Sequence, residues 1–196
     1  MAKRTQPAMP SASAFSLPRR DSVLTGRMTA SPAVTVTPGG QSSRISLRAP
    51  EKSRAALSRA LGLKLPEQPK TTAQAGSRTA IWLGPDEWLV LDEPEVDLMA
   101  VLASVKALHS AAAVSHRNQA IIVAGPSVEA TLNAGCPLDL SIAAFPVNAA
   151  TRTVLGKAEI VLWRTEEKTF RVECWRSFAD YCFTLLASGA RDAAMG

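Results

Sequence analysis

The chain has 196 residues, which is enough for one ordinary domain and too short for a second full one. Its hydrophobic content of 46% is typical of a globular protein, and it has no run of about 18 apolar residues that could span a bilayer. The net charge of +5 belongs entirely to residues 1–44, because the other 152 residues carry 16 basic and 16 acidic side chains. We therefore expect no membrane partner.

Residues 1–40 are dominated by Ala, Ser, Thr, Pro and Gly, with runs such as Pro7-Ala8-Met9-Pro10 and Thr37-Pro38-Gly39-Gly40 that cannot sustain a helix or a central strand. They predict an extended basic arm before an α+β domain over 41–190 and a short tail over 191–196. Spaced apolar residues occur in the arm, namely Phe15, Leu17, Val23, Leu24, Val34 and Val36. We interpret them as anchors that lay the arm over a partner. A disordered tail and an Arg- and Ser-rich transit peptide are the alternatives.

The first regular elements follow the arm. Alternating residues 45–48 predict a strand, and Ala49-Pro50 predicts the start of a helix that ends at Gly62. Residues 66–78 read as a polar loop. Strands over 79–83 and 88–91 are joined by a Gly-Pro-Asp-Glu turn, which predicts a hairpin. Apolar residues then recur at helical spacing over 96–108.

The second half repeats this order. Strands are predicted over 113–115 and 119–124, a helix from Gly125-Pro126-Ser127 to Asn133, strands over 152–155, 158–164 and 169–174, and a helix over 176–187. Both halves contain a strand, a small residue with Pro, a helix, Gly and a Leu-x-Leu exit. The predicted fold is α+β, with duplicated β-α-β units on an antiparallel or mixed sheet.

Aromatic residues concentrate in the strands and the last helix. The last helix is apolar over more than one narrow stripe, so we expect burial on two sides, within its own domain or by another chain. Core positions are favoured for at least three of the four tryptophans (Trp82, Trp88, Trp163 and Trp175), although Trp82 and Trp88 flank a turn and are candidates for a contact surface.

Motifs for metal and nucleophilic chemistry are missing from the sequence. The two histidines, His109 and His116, form no metal-ligand spacing, and no G-x-S-x-G supplies a nucleophile. The three cysteines form no C-x-x-C pair, so we interpret Cys136, Cys174 and Cys182 as reduced core thiols in a cytoplasmic protein. We predict no catalytic residue and no metal ligand on this chain.

Cofactor and nucleic-acid sites are also not predicted. Neither phosphate-binding glycine motif is present, so no cofactor-binding residue is assigned. The acidic pairs in 86–87, 92–95 and 166–167 fall in predicted turns, where we expect solvated carboxylates. The tryptophans lie in a neutral region and the excess arginines in the arm, which argues against nucleic-acid binding.

Three stretches together resemble a known family. The first is Trp82-Leu83-Gly84-Pro85-Asp86-Glu87-Trp88-Leu89. The second runs from Ser115-His116-Arg117 through Ile122-Val123-Ala124-Gly125-Pro126 to Gly135-Cys136-Pro137-Leu138-Asp139-Leu140, and the third joins residues 153–158 to Arg176-Ser177-Phe178-Ala179. In this order and spacing they resemble the gamma subunit of heterotetrameric sarcosine oxidase. One departure is Val147, because a glycine is expected after Pro146.

The resemblance implies a non-catalytic subunit with a structural role in an assembly that demethylates sarcosine to glycine, with hydrogen peroxide and, with tetrahydrofolate, methylenetetrahydrofolate as products. It implies alpha, beta and delta partner subunits, mainly alpha. FAD, FMN and NAD are then expected on the alpha and beta subunits and zinc on delta. It also implies a fold like part of the folate-binding aminomethyltransferases, which leaves folate contact open.

Two other function classes compete with this interpretation. One is a standalone folate-binding protein, related to the aminomethyltransferases or to the folate-binding iron–sulfur repair factors. The repair factors carry a K-G-C-[YF]-x-G-Q-E stretch, whereas Lys157 is followed here by Ala158. The other is a basic nucleic-acid adaptor that depends on residues 1–40.

Overall fold

A computed structural model describes residues 22–195. Within that range the chain forms eleven strands and four α-helices. The strands are β1 Thr29–Ala30, β2 Thr35–Pro38, β3 Ser43–Arg48, β4 Thr72–Ala75, β5 Arg78–Gly84, β6 Glu87–Asp92, β7 Ser110–Ala113, β8 Asn118–Ala124, β9 Ala150–Leu155, β10 Ala158–Glu166 and β11 Thr169–Trp175. The helices are α1 Arg54–Leu61, α2 Leu98–Ala103, α3 Val128–Asn133 and α4 Ala179–Asp192. Short 3-10 turns at Glu51–Ser53 and Arg176–Phe178 lead into α1 and α4.

The strands form two antiparallel sheets. The first, sheet A, has the order β1-β2-β8-β11-β10-β9, and the second, sheet B, has the order β4-β5-β6-β3-β7. Each half of the chain supplies four consecutive strands in the same order, since β4-β5-β6-β3 matches β9-β10-β11-β8. The α+β class and the duplication are therefore confirmed, and each repeated unit is β-α-β-β-β-α rather than the shorter β-α-β.

The two halves exchange strands, since β1 and β2 lie in the sheet of the second half and β7 lies in the sheet of the first. β2 precedes β3 along the chain but pairs with β8, whereas β7 precedes β8 but pairs with β3. Each sheet is therefore completed by a strand from the other half. This exchange ties the two repeats into one body, because neither sheet keeps its full set of strands without the other half.

Strand alternation divides the core into three apolar clusters, which lie between four layers of helices and sheets. One side of sheet A packs on α3 and α4, and one side of sheet B packs on α1 and α2. The other sides face each other through a smaller cluster that includes Ile81, Leu89 and Val161. In β5 and β6, Ala80 and Trp88 face the helices while Ile81 and Leu89 face the opposite sheet, as the two-residue period requires. The order of layers is helices, sheet B, sheet A, helices.

The described part of the predicted arm belongs to this fold. β1 and β2 lie in sheet A, and Leu24, Val34 and Val36 are fully buried in the core beside α3 and α4. The interpretation of these three residues as partner anchors is therefore wrong, because β8 offers a free edge that β2 covers. Val23 is 43% exposed. Phe15 and Leu17 lie outside the described residues.

Some local predictions differ from the structure and others are confirmed. Residues 72–75, assigned to a loop, form the edge strand β4 because backbone bonds from β5 hold them across a turn at Gly76. Helix α2 covers only 98–103, capped by the Asp97 carboxylate on the Ala100 amide. The predicted helix over 49–61 is confirmed, with its stop at Gly62 in the left-handed conformation (φ 69°). Asn148, in the turn without the expected glycine, adopts φ 69°, which asparagine tolerates.

Within residues 22–195 no helix is long and apolar enough to cross a membrane.

Candidate interaction surface

A buried ion-pair cluster joins the two sheets. The Glu173 side chain in β11 accepts hydrogen bonds from Arg44 Nε at 2.8 Å and from Arg44 Nη2 at 3.0 Å, and Arg171 Nε donates to it at 2.8 Å. Glu173 is 2% exposed and Arg44 is 3% exposed. Arg44 lies in β3 of sheet B, so this cluster connects the two sheets through fully desolvated charges. Its role is structural, since every carboxylate oxygen is bound.

A second cluster lies at the other end of the space between the sheets. Glu87 accepts hydrogen bonds from Arg152 at 2.5 Å and from Arg48 at 2.9 Å. Burial alone would raise the pKa of Glu87, but the hydrogen bonds and charges of Arg152 and Arg48 outweigh it and hold the pKa below its ordinary value. The expectation of solvated acids in the turns is wrong for Glu87, which is 8% exposed.

Asp92 is a second acid for which the expectation of a solvated carboxylate is wrong. It is 5% exposed and accepts hydrogen bonds from Ser77 Oγ and Arg78 Nε at 2.7 Å each. Arg78 also donates to the Leu61 carbonyl at the end of α1. Burial raises the pKa of Asp92, but its hydrogen bonds, the largest from Ser77, bring the pKa below the ordinary value. These bonds fasten α1 to sheet B.

The depressed pKa of Glu87 gives a pH prediction. A carboxylate with a lower pKa in the folded state stabilises the fold above its unfolded-state pKa of about 4.3 and loses that contribution as the pH falls through the folded pKa. Glu87→Gln should therefore be less stable than the parent protein near neutral pH, and the difference should shrink as the pH falls below about 4.3. Urea unfolding over this range measures it. Glu95→Gln, at an exposed acid, is the control and should leave the pH dependence unchanged. A constant difference for Glu87→Gln would contradict the assignment.

A buried arginine occupies the other side of sheet A. Arg164 in β10 donates to the Glu129 carboxylate at 2.6 Å, to the Glu167 carbonyl at 2.8 Å and to the Leu140 carbonyl. Its guanidinium lies 4.5 Å from the ring centroid of Phe170. Arg164 therefore joins α3 and the loop before β9 to the sheet, and the sequence did not distinguish it from a surface arginine.

The remaining candidate groups for chemistry are dispersed. Cys136, Cys174 and Cys182 are unpaired and buried, which confirms the prediction of core thiols. A hydrogen bond with Cys182 and burial raise the pKa of the Cys174 thiol. His109 lies before β7 with its Nδ1 2.7 Å from the Ala107 carbonyl, and His116 is exposed in the loop before β8. Across residues 22–195 no three His, Cys, Asp or Glu side chains are grouped so that they could hold a metal ion.

A polar cleft opens where β2, β3 and β8 meet. It has a volume of about 280 Å³. Its lining consists of Ser22, Gly39, Gly40, Gln41, Ser42, Ser43, Arg44, Pro94, Ser115, Asn118, Gln119 and Arg176. Several of these polar groups already bind one another: Ser22 Oγ donates to Gln119 at 2.8 Å, and the Arg44 amide donates to Ser115 Oγ at 2.8 Å. Some of the polar groups in the cleft wall therefore already have partners within the wall.

An exposed apolar surface adjoins this cleft at the junction of β11 and α4. In β11, Phe170, Val172 and Cys174 face the helices, so Trp175 falls on the side of sheet A that faces sheet B. Trp175 and Phe178 are 43% and 41% exposed, and their ring centroids are 6.5 Å apart. The Arg117 guanidinium lies 5.1 Å from the Trp175 ring centroid. We call Val23, Arg117, Trp175 and Phe178 the aromatic patch.

The tryptophan predictions are only partly confirmed. Trp88 is fully buried and donates its indole N–H to the Pro66 carbonyl at 2.8 Å, while Trp82 and Trp163 pack against core clusters. Trp88, which flanks the 84–87 turn, is therefore not part of an exposed contact surface. The exposed tryptophan is Trp175. The signal in the sequence was its position. Trp175 follows the buried Cys174 at the end of β11 and lies three residues before Phe178.

Comparison with known proteins shows where this fold recurs. The model of the family described as "Sarcosine oxidase, gamma subunit family" matches residues 48–192. Proteins named sarcosine oxidase subunit gamma from Corynebacterium sp. (strain P-1) and Arthrobacter sp. are 33% and 36% identical over 130 and 121 residues. These alignments cover 65% and 60% of this chain and 64% and 60% of the relatives' length. A third relative, from Corynebacterium sp. (strain U-96), is 32% identical over 154 residues, covering 76% of this chain and 75% of the relative.

Two solved structures are similar over most of the chain. One belongs to heterotetrameric sarcosine oxidase from Corynebacterium sp. U-96 in complex with pyrrole 2-carboxylate, with a TM-score of 0.79, 27% identity, and coverage of 85% of this chain and 88% of that one. The other is the glycine cleavage system aminomethyltransferase T from Bartonella henselae, with a TM-score of 0.59, 15% identity, and coverage of 80% of this chain and 46% of that one. The second likeness concerns the fold alone.

Proposed function

Since the chain belongs to the sarcosine oxidase, gamma subunit family, we propose that it is a non-catalytic, structural subunit of a heterotetrameric sarcosine oxidase. The proposed partners are alpha, beta and delta subunits, with alpha as the main contact. FAD, FMN and NAD would lie on alpha and beta, and zinc on delta. The assembly would demethylate sarcosine to glycine. The family match over residues 48–192 is the observation that carries this proposal.

The chemistry of the described residues supports a structural role. The buried arginines are bound in pairs that join layers: Arg44 with the buried Glu173 between the sheets, and Arg164 with Glu129, whose side chain is 43% exposed, between sheet A and α3. A buried charge is costly unless it is paired, so these contacts fix geometry rather than leave a group available for reaction. The exposed aromatic patch is, by contrast, the kind of surface that binds another protein. The three unpaired buried thiols are in keeping with a cytoplasmic location.

Native mass determination after co-purification tests the proposal. A tagged full-length chain should recover a partner that carries flavin, visible by its absorbance, in equal amount. The isolated chain should show no sarcosine oxidation. Recovery of this chain as a monomer without a flavin-containing partner would contradict the proposal.

The alternative, a standalone folate-binding protein like the aminomethyltransferases, makes a different prediction. It requires the isolated full-length chain to bind tetrahydrofolate, which isothermal titration measures directly. The likeness to the Bartonella henselae protein concerns the fold and does not by itself favour this alternative. Tight binding by the isolated chain, together with no flavin-containing partner, would replace the proposed function by this one.

A further inference from the structure

The polar cleft is the place where the described part of the chain begins. Ser22 lines the cleft, and its hydroxyl donates to the Gln119 side chain at 2.8 Å. The Leu24 amide donates to Ser22 Oγ at 3.1 Å, and the Thr25 hydroxyl donates to the Ser22 carbonyl at 2.6 Å. Leu24 itself is fully buried. Ser22 is therefore fixed in the cleft wall, and the residues before it start from this point.

Covalent geometry limits how far residues 19–21 can lie from the cleft. Consecutive Cα atoms are about 3.8 Å apart across a trans peptide bond. The Cα of Arg20 therefore lies within about 8 Å of the Ser22 Cα, and the Cα of Arg19 lies within about 11 Å of it. The long arginine side chains extend this range further. Against this reach the cleft is small, with a volume of about 280 Å³.

An acidic turn lies at the rim of the same cleft. Pro94 lines the cleft and directly follows Glu93, which is exposed. The Glu93 amide donates to Asp92 Oδ1 at 2.9 Å, and its carbonyl accepts from the Val96 amide at 3.1 Å. These bonds close a turn that has proline at its second position, where proline is favoured. The backbone of Glu93 is therefore held beside the cleft, with its carboxylate exposed.

The charges of this turn and of the N-terminal segment are complementary. Residues 93–97 include three acids, and among residues 22–195 the Glu93 carboxylate forms no ion pair. Arg19 and Arg20 are consecutive cations that covalent geometry keeps near the same cleft. Opposite charges on two neighbouring segments favour their contact.

The arginines of the cleft wall do not oppose this contact. Arg44 is 3% exposed, and its charge is neutralised by Glu173. Arg176 also lines the cleft, and Asp21 gives the segment one carboxylate that offsets it. A contact within one chain also acts at an effective concentration of about 1 mM, because the segment is tethered beside its site. A separate molecule would have to compete with this tethered segment.

We propose that residues 19–21 lie across the polar cleft, with Arg19 or Arg20 paired with Glu93. The contact fixes the C-terminal end of the basic arm to the domain before any partner binds. The arm then leaves from the rim of the cleft, which sets the direction in which residues 1–18 can meet a partner. This inference goes beyond the proposed function, because it concerns this chain alone.

Trypsin cleavage of the isolated full-length chain tests the contact, because trypsin cleaves after arginine. Glu93→Lys should raise the rate of cleavage after Arg19 and Arg20 about two- to fivefold, which is the range for loss of an exposed ion pair. About 0.5 M NaCl should raise the rate in the parent chain similarly, since salt screens exposed charges. Cleavage after Arg4 in the same sample is the internal reference for the activity of trypsin.

Glu167→Lys is the matched control. Glu167 is exposed in the turn before β11, at the opposite end of that strand from Arg176 and the cleft. The substitution makes the same change of charge and should leave the rate of cleavage after Arg20 unchanged. Both variants should melt at the temperature of the parent chain, because both side chains are exposed. Equal cleavage rates in all three chains, or a parent rate that salt does not change, would overturn the proposal.

A zero-length crosslink identifies what the segment contacts. Arg19→Lys and Arg20→Lys, made separately, keep the charge and supply an amine that a carbodiimide joins to a carboxylate in contact. At least one variant should give a peptide that connects the altered position with Glu93. A mixture of isotope-labelled and unlabelled chains should show that both ends come from one chain. If neither variant crosslinks to residues 93–97, or if the crosslinks join two copies, the placement is overturned. Recovery of a flavin-containing partner plays no part in these measurements, so the proposed function and this inference can fail separately.

Discussion

Replacing Glu173 by glutamine should lower the free energy of unfolding by about 3–5 kcal/mol, because it leaves two arginines next to each other in the interior without a counter-charge. Arg44 is 3% exposed and cannot recover its full hydration by rotating outwards, and Arg171, whose side chain is 16% exposed, donates to the same carboxylate. In a chain of this size such a loss should lower the melting temperature by roughly 10 °C. Thermal and urea unfolding of the full-length protein measure both quantities.

Two companion variants separate the charge from the shape of the side chain. Glu166→Gln changes an exposed glutamate in the neighbouring strand and should alter stability by less than about 0.5 kcal/mol. The double variant Arg44→Met, Glu173→Leu removes both partners and should recover part of the loss, because an apolar pair often replaces a buried ion pair at little cost. If Glu173→Gln unfolds within about 1 kcal/mol of the parent protein, the cluster does not stabilise the sheet interface as described.

Substituting alanine for Gly125 should be comparably destabilising, by about 3 kcal/mol or more, because strain and a steric clash add together. Gly125 follows β8 with φ 138°, a conformation that L side chains rarely adopt. A Cβ there would lie 2.9 Å from the Cα of Val34 and closer still to the Ala33 carbonyl oxygen. Both contacts are with backbone, so a side-chain rotation cannot relieve them. The segment that enters β2 would have to move away from β8.

Gly40→Ala is the matched control for this prediction. A Cβ at Gly40 would have no heavy atom within 4 Å, and its backbone is not in the left-handed region. Its unfolding free energy should stay within about 0.5 kcal/mol of the parent value. Hydrogen exchange adds a local test, since the amides of β2 should lose protection in Gly125→Ala before those of sheet B. Equal stability of the two alanine variants would show that β2 is not held against Gly125.

The sequence alone determined the local elements because their causes are local. The alternation of β3, the apolar runs of β5, β8 and β10 and the stop of α1 at Gly62 depend on neighbouring residues. The duplication was also visible, since the same residue types recur in both halves. The motifs shared with the sarcosine oxidase gamma subunit lie in these elements, so the family could be identified before the fold was known.

The predictions of burial were wrong where a residue's partner lies far away along the chain. Leu24, Val34 and Val36 are in a Pro- and Ser-rich segment that predicts no core, yet β2 pairs with β8, about 85 residues later. Glu87 and Asp92 were expected in solvent because turns favour acids, but arginines from other strands bury them. Composition cannot anticipate a counter-charge supplied by another strand.

Only the tertiary structure decided which side chains are buried in the fold and which stay exposed for a partner. Trp88 and Trp175 are alike in sequence context, each at or next to one end of a strand, but Trp88 is fully buried under α1 and α2 while Trp175 is 43% exposed. The sequence predicts an ordinary helix start at Gly125, whereas the structure places the backbone of Ala33 and Val34 directly against it. The same physical reason applies to Trp175 and to Gly125. Local propensity determines the helices and strands, whereas burial depends on the pairing of strands that are far apart along the chain and that cross between the two sheets.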